Sequence, residues 1–105
     1  MQRNQLIVQL PLSEGTDFDR LLHVEETLMN AFTRGDIALV EGHEMGNHGF
    51  NIFISPRGDW APAIAKVEEM LRLRGVLEHA RIAKLPAGGD VYELLRPAGG
   101  GVFEP

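Results

Sequence analysis

Cysteine is absent from this 105-residue chain, which removes disulfides, thiolate metal sites and cysteine nucleophiles together. The fold must hold by packing. Long apolar runs are absent as well. The first run, in "MQRNQLIVQLPL", is broken by Gln9 and Pro11 and is too short for a signal h-region or a membrane span. A cytoplasmic protein with no membrane partner is therefore expected. Basic charge is scarce: 10 Lys and Arg stand against 15 Asp and Glu, for a net charge of -5, and the cations form no stripe. Phosphate binding draws on clustered cations, so nucleic acid is not an expected partner. The acidic balance suits a basic protein surface or a cationic ligand better. No GxSxG, Walker A or GxGxxG pattern occurs, and no cofactor is expected.

What is present is ordinary globular composition, 44% apolar and 24% charged, which argues against general disorder. A chain of this length forms one domain with one modest core. Residues 1–96 are read as that domain. Residues 97–105, rich in glycine and proline with nothing to bury, are read as a flexible C-terminal tail.

Leu6, Ile7 and Val8 are consecutive apolar residues, the mark of a central strand buried on both faces. Thr16 and Asp17 offer an N-cap for a helix running to about Thr33, with Phe18, Leu21, Leu22, Leu28, Met29 and Phe32 on its buried stripe. "IALVEG" and "GFNIFIS" then form a β-hairpin around a glycine-rich loop. Asp59 begins a second helix, in which Pro62 sits in the first turn and Trp60, Ile64, Val67 and Leu71 recur at helical spacing. "ARIAKL" and "DVYELL" are two short strands joined by "PAGG", a tetrapeptide repeated at 97–100.

This order, strand-helix-strand-strand-helix-strand with an extra strand at the end, is that of the ferredoxin-like split βαβ sandwich: an α+β fold with an antiparallel sheet and two helices on one face. The helices cover Leu6, Val8, Leu10, Phe50, Ile52 and Ile54, or the opposite set if the register is shifted by one residue. The uncovered face carries Ile7, Gln9, Ala38, Val40, Asn51 and Phe53. It is too apolar to face water plainly, and such a patch marks an interface, a docked terminal segment or a face-to-face homodimer.

"GHEMGNHGF", residues 42–50, concentrates the polar chemistry. His43, Glu44 and His48 are ligand types that suit zinc, nickel or copper, but the spacing is not the helical HExxH signature. Glu41 and Glu44 with a histidine could serve as base and acid, although nothing in the sequence fixes their distance. The alternative is a shaped hairpin end, with glycines at positive φ, Asn47 in left-handed geometry, and His and Glu free for recognition.

The stretch of about residues 37–74 resembles a family of small uncharacterised bacterial proteins. An acidic residue and spaced glycines precede an "NIFI" strand, a turn and an amphipathic helix, and Glu44 matches the acidic position while "GNHG" widens the glycine spacing by one residue. The resemblance implies an α+β sandwich and supplies no activity. By analogy of class, small acidic bacterial domains of this kind include toxin-immunity proteins.

The expected function is a non-catalytic protein-binding or regulatory module, with a toxin-immunity-type protein as its sharpest form. Its binding residues would be His43, Glu44, Asn47, His48, Ile7, Val40 and Phe53, and its partner another protein or a second copy of itself. The competing expectation is a small metal-binding protein or enzyme using Glu41, His43, Glu44 and His48.

Overall fold

The computed structural model describes residues 3–12, 15–98 and 101–105; Gly99 and Gly100, which complete the second "PAGG", lie outside them. Strands β1 (Gln5–Leu10), β2 (Ala38–Met45), β3 (Phe50–Pro56), β4 (Arg81–Leu85) and β5 (Glu93–Arg96) form one sheet in the order β2-β3-β1-β4-β5, every pair antiparallel. Helices α1 (Phe18–Ala31) and α2 (Trp60–Leu73) cover one face. This is the ferredoxin-like sandwich, widened by β5 at its edge.

Local chemistry sets the helix limits. The Asp17 carboxylate accepts the Asp19 amide at 3.0 Å at the start of α1, satisfying a donor with no intrahelical partner. At the other end the Thr33 hydroxyl donates to the Asn30 carbonyl at 2.8 Å. Asp59 occupies the N-cap of α2 without a side-chain capping bond. That helix closes when the Val76 amide reaches back to the Leu71 carbonyl and Gly75 to Arg72, both at 3.0 Å, a Schellman-type ending.

The main core lies between helices and sheet. Leu6, Val8, Leu10, Phe50, Ile52 and Ile54 meet Leu21, Val24, Leu28, Ala63, Val67 and Leu71. Each large side chain so enclosed contributes about 1.5–3 kcal/mol. The first of the two alternative registers is therefore the one adopted. Three expectations are corrected. Ala38 and Val40 belong to the helix-covered side, because Ala38 pairs with Pro56 and Val40 with Ile54. Met29 and Phe18 are exposed, and the buried stripe of α1 instead includes Val24, Glu25 and Thr27. Asn47 is not left-handed, since no described residue other than glycine has positive φ.

The largest departure concerns the tail. Residues 101–105 lie across the second sheet face, and Phe103 is only 5% exposed, packed on Ile7 and Ala83 with Phe53, Tyr92 and Leu94 around them. The expectation of nothing to bury fails at that one ring.

Candidate functional site

An extra residue in β2 decides where the loop's side chains go. The pairing runs Val40 with Ile54 and then Gly42 with Phe53, so Glu41 is the unmatched residue of a bulge. Gly42 takes φ 140° there, a backbone conformation that side-chain-bearing residues rarely adopt. Beyond the bulge the alternation is reversed: His43 stands opposite Ile52 on the helix side and Glu44 opposite Asn51 on the open side.

His43 consequently leaves its neighbours. Its Nδ1 lies 2.8 and 3.0 Å from the two carboxylate oxygens of Glu25 on α1, and its ring stacks on Phe50 at 4.8 Å with Phe18 edge-on at 6.4 Å. Glu25 is a buried carboxylate, and such a group is costly unless hydrogen-bonded. The contact ties the edge strand to α1. Sequence reasoning missed Glu25, whose partner lies eighteen positions away.

His48 goes to the opposite side, where its Nε2 is 2.9 Å from the Glu104 carboxylate. His43 is therefore parted from Glu44 and His48, and among the described residues no group of three or more His, Asp or Glu side chains is placed to hold a metal ion. The metal-ligand set of His43, Glu44 and His48 is not brought together, while Glu41, His43 and Glu44 line one groove. Asn47 is exposed at the hairpin tip, and Val40 is partly buried on the helix side. The loop closes through the Gly46 amide and the Gly49 carbonyl at 2.9 Å. Gly49 itself is required by space, since a Cβ there would stand 2.6 Å from the Leu10 carbonyl oxygen.

On the open face two features adjoin. One is the tail segment, called here the strap. Gln9 Nε2 donates to the Glu104 carbonyl at 2.7 Å and to Asn51 Oδ1 at 3.1 Å. Arg81 donates to the Val102 carbonyl at 2.9 Å and its guanidinium lies 5.9 Å from the centre of the Phe103 ring, while Tyr92 meets that ring edge-on at 5.4 Å. The other is an open groove of about 500 Å³ lined by Glu41, Glu44, Phe53 and Tyr92, together with Gln5 and Pro105. Of the expected binding residues, Glu44 and Phe53 line this groove and His43 borders it, whereas Ile7 is wholly buried beneath the strap.

The remaining cations do not converge. Arg74 donates to the Thr27 hydroxyl. Lys84 pairs with Glu93 at 3.4 Å and lies over the Trp60 ring at 5.2 Å, and Glu68 pairs with Arg96 at 3.3 Å. A second cavity, about 400 Å³ at the start of α1, is lined by Asp17, Arg20 and His79 among apolar neighbours; the Asp17 carboxylate already caps that helix end. No helix among the described residues is long and apolar enough to cross a membrane. No family model, curated protein or solved structure gives a significant match to the chain.

Proposed function

We propose that the chain is a non-catalytic protein-binding module whose open sheet face, beside the β2–β3 hairpin, takes a basic segment of a partner protein. The observation that carries this reading is the groove in which Glu41 and Glu44 stand beside Phe53 and Tyr92. Carboxylates next to aromatic rings suit an Arg or Lys side chain: the apolar stem packs on the rings while the cationic head pairs with the carboxylates. Arg3 Nη1 already stands 3.9 Å from Glu41 Oε1. So long and exposed a pair is worth at most about 1 kcal/mol, and a cation seated against both carboxylates outcompetes it. The net charge of -5 adds long-range attraction, which speeds encounter with a basic surface and weakens with salt.

Peptides selected from a random library against the intact protein test the reading. They are expected to be enriched in Arg and Lys, and Glu41→Gln combined with Glu44→Gln is expected to weaken their binding by about tenfold or more, roughly the effect of one lost charge pair. Selected peptides without cations, or peptides that bind the double variant equally well, overturn it.

A further inference from the structure

The strap is held by contacts apart from those of the main core. Phe103, Ile7 and Ala83 form a cluster separate from the core between helices and sheet, and residues 101–105 pair with no strand. Val102 and Glu104, on either side of the buried ring, are exposed. What fixes the segment is a set of side chains aimed out of the sheet at its main chain: Arg81 donates to the carbonyl before Phe103, and Gln9 to the carbonyl after it.

Gln9 and Asn51 are the telling pair. Both are almost completely buried at matched positions on the two central strands. An amide pair is a poor choice for a face that only has to be covered, because each buried polar group is costly unless hydrogen-bonded. It is a good choice for reading the carbonyl of whatever extended segment lies there. His48, at the hairpin, meets the carboxylate that follows the ring.

We infer that the open face is a peptide socket occupied in cis by the chain's own tail, and that its partner is an extended segment of another protein bearing an aromatic residue followed by an acidic one. The aromatic ring enters the pocket of Ile7, Ala83 and Tyr92, the flanking carbonyls accept from Arg81 and Gln9, and the acidic side chain meets His48. This site goes beyond the acidic groove: Tyr92 borders both and Pro105 of the strap lines the groove, but Arg81, Gln9 and His48, which hold the strap, are not groove residues. The strap competes with the partner as a tethered ligand at high effective concentration, and displacing it opens the face.

The full-length Phe103→Ala chain and a synthetic peptide, GGVFEP, provide the test. The variant, checked for a native circular dichroism spectrum, is expected to bind the peptide about tenfold or more tightly than the native chain does, because its own strap has lost its anchor. A peptide with alanine in place of phenylalanine is expected to lose that binding. A folded variant that ignores GGVFEP, or that binds the alanine peptide as well, overturns the proposal. Should the variant fail to fold, nuclear magnetic resonance of the isotopically labelled native chain decides: excess unlabelled GGVFEP is expected to move the signals of the buried Phe103 ring toward their unstructured positions, and unmoved signals overturn the proposal. A native dimer with tails exchanged between copies assigns the socket to a second copy and equally overturns it. None of these outcomes depends on Glu41 or Glu44, so the fate of the basic-segment reading is decided separately.

Discussion

Replacing Phe103 with alanine separates a seated anchor from a segment that merely lies near the sheet. The adjacent side chains differ sharply: Phe103 is 5% exposed and Val102 77%. Truncating a Phe in a closed core costs about 3–5 kcal/mol. Here the loss is smaller, because the strap lies on the outer face and can lift away, so the penalty cannot exceed the free energy of docking residues 101–105. A loss of about 2–3 kcal/mol is expected from the same scale with that ceiling, equivalent to a fall in Tm of roughly 10–20 °C for a domain of this size. Urea unfolding followed by circular dichroism measures it, with Val102→Ala as the control expected to stay within about 0.5 kcal/mol. A Phe103→Ala loss no larger than that of the control refutes the reasoning.

Other consequences follow from single contacts. His43→Ala leaves the buried Glu25 carboxylate without its imidazole partner and is expected to cost about 1–3 kcal/mol by the same unfolding assay. Calorimetric titration with zinc is expected to reveal no site that requires His43 and His48 together, since the two rings engage Glu25 on one side of the sheet and Glu104 on the other; a stoichiometric site lost in both single alanine variants contradicts this. Gly49→Ala must push its Cβ against the Leu10 carbonyl oxygen and is expected to destabilise by about 2 kcal/mol or more. Gly58→Ala, with nothing within 4 Å, is expected to change stability by less than about 0.5 kcal/mol.

Much of the scaffold was legible because its signals are local. The consecutive apolar residues of β1 and the alternation in β3 identify two central strands, and the recurrence of Trp60, Ile64, Val67 and Leu71 identifies the apolar side of α2, where Val67 and Leu71 are buried and Trp60 and Ile64 partly so, while buried Ala63 was not singled out. The face of β2 was not legible. It depends on pairing with β3 and on one inserted residue, Glu41, so Ala38 and Val40 fall on the helix side and His43 is parted from Glu44. Gly42 was the only local sign of that insertion. The Glu25–His43 contact joins a helix to a strand across the fold, and no spacing rule connects them. Phe103 was hidden by its glycine- and proline-rich context. The clue available was a large aromatic residue in a tail next to a sheet face too apolar to be left bare.

The central claim is that the open face beside the hairpin recognises a protein segment. Nuclear magnetic resonance titration of the native, isotopically labelled chain with a Lys- and Arg-rich peptide tests it most directly, because each amide reports its own position. The account predicts shifts concentrated at Gln5, Glu41, Glu44, Phe53 and Tyr92, diminishing as salt is added. Shifts confined to α1 and α2, or no shifts at millimolar peptide, would contradict it.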